Sequence, residues 1–152
     1  MLAIGDRIPE AAVWVGPRER HTIAEIVEDG PVLLLFYLFD WTSTRTNELE
    51  LLRDRSAEFE VAGVRTLGIS RDSPWTHIAW MQALDLTVGL LSDWNGEAVR
   101  GFDVARDYRG MRDVAQRTAF LIDREGEVRG AWSYENDAVP DFDELLAAAH
   151  SL

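Results

Sequence analysis

The sequence contains no cysteine and no lysine among its 152 residues. Without cysteine, the protein can form no disulfide, thiolate nucleophile, zinc–thiolate site or iron–sulfur cluster. All fifteen basic residues are therefore arginine. The three histidines, His21, His77 and His150, are scattered along the chain and lack the spacing of metal ligands. We therefore predict that the protein uses neither a metal nor a cofactor.

Positive charge is also scarce, because 27 acidic residues outweigh 15 basic ones and give a net charge of −12. Nucleic acids and anionic membranes both require clustered positive charge, so neither is an expected partner. The longest apolar run covers residues 32–39, which is far too short to cross a bilayer. The first residues also lack the basic segment and apolar run of a signal peptide. A cytoplasmic location is the expectation.

Apolar residues make up 47% of the chain, which is enough for the core of a single domain over residues 1–152. The continuous apolar run 32–39 is typical of a strand that is buried on both faces of a sheet, and the run 64–70 is interpreted as a second buried strand. A helical pattern follows each of these runs, at 42–62 and at 74–85. The central part of the sequence is therefore predicted to alternate strand, helix, strand, helix.

Shorter elements surround this alternation. They are strands at 11–15 and 88–91, helices at 23–28 and 97–102, a hairpin of strands 117–123 and 127–134, and a closing helix at 142–149. The mixed-charge run 106–113 is interpreted as an exposed loop. Parallel strands with helical crossovers, followed by an antiparallel hairpin and a helix, predict an α/β protein with a central mixed sheet and helices on both faces. The thioredoxin fold has this order of elements.

The segment 36–48 reads Phe-Tyr-Leu-Phe-Asp-Trp-Thr-Ser-Thr-Arg-Thr-Asn-Glu. It resembles the active-site segment of the peroxiredoxins, which are also called the alkyl hydroperoxide reductase/thiol-specific antioxidant family. Further segments are similar to that family in the same order, namely 4–9, 67–74 with His77 and Trp80, 90–96 and 117–123. The resemblance covers nearly the whole chain and implies a peroxiredoxin-like thioredoxin fold.

In that family a proline, a threonine and a reactive cysteine in one segment work with a distant arginine. The resemblance puts Leu38 at the proline position, Thr42 at the threonine position and Arg45 at the cysteine position. Arg117 stands at the arginine position, and Glu48 matches a glutamate that usually follows the cysteine. Two of the four motif residues are therefore replaced, including the one that reacts. Peroxide reduction needs a group that takes up oxygen and returns it to a thiol, so we predict no thiol peroxidase activity.

The resemblance places Arg45 and Arg117 at one pocket, at a helix start where the helix dipole adds positive charge. Two guanidinium groups repel each other unless a negative group lies between them. That group is either an internal carboxylate, from Glu48 or Asp40, or a small anion bound by Thr42, Arg45 and Arg117. In the simpler interpretation, Arg45 points to solvent or pairs with Glu48, and the pocket binds nothing.

Three classes of function stay open at this point. The favoured class is a cysteine-less binding or scaffold module that forms a homodimer. The second is a binder of a small anion or ligand at the former active site, and the third is an enzyme with chemistry that the motif does not show. Peroxiredoxins commonly dimerise through the surface around the active-site loop and the helix after the second strand. Trp41, Trp75 and Trp80 lie in those segments, and they are either interface residues or core residues.

Overall fold

The computed structural model describes residues 1–42, 48–135 and 138–152 of the protein. Strands and helices alternate through most of this part of the chain. In chain order they are β1 (Ala12–Gly16), β2 (Glu19–Thr22), α1 (Ile23–Val27), β3 (Val32–Phe36), α2 (Glu48–Val61), β4 (Arg65–Ser70), α3 (Pro74–Leu84), β5 (Gly89–Ser92), α4 (Glu97–Gly101), β6 (Ala105–Tyr108), β7 (Met111–Ala115), β8 (Thr118–Ile122), β9 (Val128–Ser133) and α5 (Phe142–His150).

Seven of the strands form one mixed sheet in the order β2-β1-β5-β4-β3-β8-β9. Strands β3, β4 and β5 are parallel to one another. On the other side of β3, β8 pairs antiparallel with β3, and β9 pairs antiparallel with β8. This confirms the predicted mixed sheet and its terminal hairpin. The fold is the thioredoxin fold of the structural neighbours reported below.

Strand β3 lies near the middle of the sheet, and all five of its residues are buried. Because side chains alternate along a strand, Leu34 and Phe36 join the core on one face of the sheet. Leu33 and Leu35 join the core on the other face, where α2, α3 and α5 pack. The uninterrupted apolar run that predicted a strand buried on both faces therefore has that role, although the strand ends at Phe36 and not at residue 39.

Local signals at the helix ends behave as the sequence predicts. Thr22 and Glu25 form both halves of a capping box at the start of α1. Ser73 caps α3 through its side chain, with Pro74 in the first turn. Gly63 follows α2 at a φ of +81°, a left-handed conformation that glycine adopts without steric cost. These caps fix where the helices begin and end around the candidate site.

The run 106–113 is not the exposed loop that its mixed charge predicts. It contains most of an antiparallel hairpin of β6 and β7. The turn is made by Arg109 and Gly110, both at positive φ, which is the backbone conformation that tight hairpins require. This hairpin lacks the apolar pattern that predicts a strand, because it stands apart from the main sheet as a separate two-stranded ribbon.

No helix in the described part of the chain is long and apolar enough to span a bilayer.

Candidate functional site

The former active-site region holds an ion pair between the first residue of α2 and the residue just before β8. The Arg117 Nη2 atom lies 2.8 Å from the Glu48 Oε2 atom, and these side chains are only 12% and 9% exposed. Arg117 also donates from Nη1 to the backbone carbonyl of Glu135, at 2.7 Å. Burial raises the pKa of Glu48, while the hydrogen bond from Arg117 acts in the opposite direction. The pair therefore gives the buried Glu48 carboxylate a cationic partner.

The structure brings together two of the sequence-predicted site residues, Glu48 and Arg117. Leu38 is half-buried, and Thr42 is exposed, with its hydroxyl donating to the backbone carbonyl of Phe39. Arg45 lies outside the described residues. Of the two internal carboxylates that the sequence offered as partners for an arginine, Glu48 contacts Arg117.

The other carboxylate, Asp40, has a partner that the sequence did not predict. Its Oδ2 atom lies 2.7 Å from Nδ1 of His77, and its Oδ1 atom accepts a hydrogen bond of 2.5 Å from the Tyr37 hydroxyl. The Nε2 atom of His77 lies 2.9 Å from the carbonyl oxygen of Leu91. All three side chains are almost completely buried. These hydrogen bonds join the segment after β3 to α3 and to β5.

A second carboxylate, that of Asp72, extends the cluster. Its Oδ2 atom accepts from the backbone N–H of Asp40 at 2.8 Å and from the Ser70 hydroxyl at 2.5 Å. Burial, and then the charge of Asp40, raises the pKa of Asp72. Ligand atoms of Asp40, Asp72 and His77 all lie within 4.8 Å of one another, a separation that would suit a metal ion. Hydrogen bonds within the cluster already engage these residues, so we assign no metal to it.

His77 and Trp80 both lie on the buried face of α3. Trp80 is 3% exposed, and its ring stacks on Tyr37 with the centroids 5.7 Å apart. His77 packs on the same ring and also makes the polar contacts described above. Sequence reasoning missed the hydrogen bonds of His77 with Asp40 and Leu91, because these residues are distant in sequence.

Three exposed tryptophans follow the three parallel strands. Trp41 comes after β3, Trp75 after β4 and Trp94 after β5, and they are 57%, 66% and 57% exposed. Because parallel neighbours end at the same edge of a sheet, all three tryptophans belong to segments that leave the sheet at its carboxyl edge. The two roles considered for the tryptophans therefore divide between them: Trp80 belongs to the core, whereas Trp41 and Trp75 are on the surface.

Comparison with known proteins gives a consistent result across sequence and structure. A model of the AhpC/TSA family matches residues 4–131. The chain is 34% identical over 136 residues to 2-Cys peroxiredoxin BAS1 of Spinacia oleracea chloroplasts, covering 83% of this chain and 50% of that protein. It is 32% identical over 127 residues to the putative peroxiredoxin YkuU of Bacillus subtilis (strain 168), covering 79% and 69% of the two chains.

Among solved structures, the crystal structure of peroxidoxin BcpB from Mycobacterium tuberculosis superposes with a TM-score of 0.85 at 26% identity. That superposition covers 100% of this chain and 99% of the other. The chain spans only about half the length of the chloroplast relative, so the similarity to that protein concerns the part that aligns.

Proposed function

The chain belongs to the AhpC/TSA family of peroxiredoxins, and because it contains no cysteine we propose that it is a family member without thiol peroxidase activity. We propose that it acts as a binding or scaffold module, as one domain over residues 1–152. The observation that carries this proposal is the absence of cysteine from all 152 residues. Hydroxyl groups such as those of Ser43, Thr44 and Thr46 do not form the sulfenic acid that thiols reduce back.

The contacts of the former active-site region support a role that needs no reaction there. Glu48 and Arg117 neutralise each other at 2.8 Å, and the buried strand β3 packs on both faces. Within residues 1–42 and 48–135, the charges of Glu48 and Arg117 are thus matched to each other. Stopped-flow mixing of the protein with hydrogen peroxide and with an organic hydroperoxide, in the presence of a thiol reductant, tests the proposal. We expect peroxide loss at the rate of the protein-free mixture.

We further propose that the module is a homodimer that buries the exposed tryptophans at the carboxyl edge of the parallel strands. Exposed indoles are enriched at protein interfaces, where one large ring contributes much contact area. A glutamate at position 75 would place a charge inside such an interface, whereas one at Val61, which is 85% exposed on α2, would remain in water.

Light scattering should therefore give twice the 17.2 kDa chain mass for the wild type and for Val61→Glu. Trp75→Glu should give the mass of a single chain. A monomeric wild type, or a dimer that survives Trp75→Glu unchanged, would remove this interface from the proposal.

Binding of a small anion by Thr42, Arg45 and Arg117 is the second candidate function. The contact between Arg117 and Glu48 favours it, because it brings a guanidinium to the first turn of α2, where the helix dipole is positive. A bound anion would have to share Arg117 with the Glu48 carboxylate, so the affinity should be modest.

A thermal shift assay with phosphate and with acetate distinguishes an anion site from a satisfied ion pair. If the site exists, phosphate should raise the melting temperature of the wild type more than that of Arg45→Ala, since the variant lacks one of the proposed ligands. Equal responses of the two proteins would eliminate the anion site. A cytoplasmic location stays a prediction from the sequence, and the lack of nucleic-acid and membrane partners stays a prediction from the acidic composition.

A further inference from the structure

Tyr37, Asp40 and His77 form a buried hydrogen-bonded cluster. The direction of each hydrogen bond determines how many protons the cluster holds. The carbonyl oxygen of Leu91 only accepts hydrogen bonds, so the Nε2 atom of His77, 2.9 Å away, must carry a proton. The Tyr37 hydroxyl donates to Oδ1 of Asp40. The remaining contact of the cluster joins Nδ1 of His77 to Oδ2 of Asp40.

Those two atoms are 2.7 Å apart in a region closed to water. A carboxylate oxygen and an unprotonated ring nitrogen are both acceptors, and two facing acceptors at this distance repel each other. A proton on each atom would produce a clash of two donors. The separation is that of a charge-assisted hydrogen bond with one proton in it.

We propose that Asp40 and His77 share one proton as a neutral pair, and that this pair positions the segment that follows β3. Asp40 is held at both its side chain and its backbone, since its N–H donates to Asp72 at 2.8 Å. The next residue, Trp41, has a φ of +67°, a left-handed conformation that bulky side chains rarely adopt. The double anchoring of Asp40 supports that conformation and so the direction in which the segment leaves the sheet.

The groups around the pair favour keeping the proton in place. From β3, Tyr37 contributes a phenol whose pKa is raised by burial and by the charge of Asp40, so that it remains a donor. From the turn before α3, Asp72 adds a second carboxylate. Strand β5 contributes the Leu91 carbonyl and the Ser92 hydroxyl, which donates to the Asp72 carbonyl. Loss of the shared proton would leave an uncompensated negative charge in this acidic, buried surrounding.

A shared proton makes stability depend on pH with a definite sign. In the unfolded chain, histidine releases its proton near pH 6.5 while aspartate is already ionised. Above that pH the folded pair holds one proton more than the unfolded chain does. The contribution of the pair is therefore complete below about pH 6.5 and declines as the pH rises, by up to about tenfold in the folding equilibrium constant per pH unit.

Asp40→Asn isolates this effect. The asparagine amide can donate to a neutral His77 ring and its carbonyl can accept from Tyr37, so the hydrogen bonds persist without the shared proton. Folded wild type then holds one proton more than the folded variant, while the unfolded chains hold equal numbers above about pH 5. The ratio of the two folding constants should therefore fall as the pH rises above about 5.5, by up to about tenfold for each pH unit. A merely structural contact, or a pair without the proton, would give a ratio independent of pH and overturn the proposal.

A measurement on the wild type covers the case in which the variant does not fold. A ¹⁵N-histidine NMR spectrum at neutral pH reports directly which ring nitrogens carry protons. Both ring nitrogens of His77 should carry one, Nε2 for the Leu91 carbonyl and Nδ1 for the proton shared with Asp40. An Nδ1 atom of His77 without a proton would contradict a shared proton.

Discussion

Replacing Arg117 by alanine is expected to lower the free energy of unfolding by about 3–5 kcal/mol. The wild-type guanidinium lies 2.8 Å from the Glu48 carboxylate, and both side chains are mostly buried. Removal of Arg117 takes away the cation that the described residues place beside the buried Glu48 carboxylate, and a buried charge that loses its partner costs much more than the intact pair contributes. Urea denaturation of the two proteins at neutral pH measures the loss.

Arg129→Ala is the matched control, since it removes an arginine of a neighbouring strand. The Arg129 side chain is 45% exposed and lies 3.4 Å from Asp123, so its removal should cost less than about 1 kcal/mol. In Arg117→Ala the deficit should shrink as the pH falls. Burial raises the pKa of Glu48, so the folded variant takes up a proton more readily than the unfolded chain, and protonation removes the unpaired charge. Equal losses in the free energy of unfolding of the two variants would show that the pair of Arg117 with Glu48 stabilises the fold no more than the exposed pair of Arg129 with Asp123.

Arg45→Cys is expected to produce a thiol that hydrogen peroxide oxidises at least about tenfold faster than an ordinary exposed thiol at neutral pH. Position 45 is where the motif resemblance places the reactive cysteine, and it lies three residues before Glu48, the first residue of α2. The resemblance puts the guanidinium of Arg117 and the start of the helix beside that thiol, and both favour the thiolate, which is the reactive form.

Val61→Cys provides the reference thiol, because Val61 is 85% exposed near the other end of α2. Stopped-flow rates of sulfenic acid formation in both variants give the comparison. Leu38 still replaces the motif proline in Arg45→Cys, so Leu38→Pro in the same chain should raise the rate further. Equal rates for the Arg45→Cys and Val61→Cys thiols would mean that the residues around the former active site no longer activate a cysteine.

Most of the fold could be predicted because its signals are local. The apolar run of β3, the capping box of Thr22 with Glu25 and the Ser73-Pro74 helix start each need only a few neighbouring residues. Strand β2 was missed because it is polar and lies at the edge of the sheet, where no apolar alternation is required. The hairpin of β6 and β7 was missed because its turn depends on a left-handed Arg109, a conformation that arginine does not signal.

Part of the candidate site could likewise be predicted from the sequence, whereas the rest depends on contacts between residues that are distant in sequence. The family resemblance placed Glu48 and Arg117 in one region, and the structure joins them. The contact of Asp40 with His77 spans 37 residues and depends on the parallel arrangement of β3, β4 and β5. No spacing rule links such residues, because the contact exists only once the sheet has brought the ends of β3 and β5 beside α3.

Turnover of hydrogen peroxide by the purified wild-type protein, with a thiol reductant in excess, tests most directly whether this family member lacks the chemistry of its relatives. A chain with no sulfur that can cycle through sulfenic acid should consume peroxide no faster than the buffer does, at any protein concentration. Peroxide consumption that increases in proportion to the wild-type protein and depends on the thiol would contradict an inactive module and require a catalytic group other than cysteine.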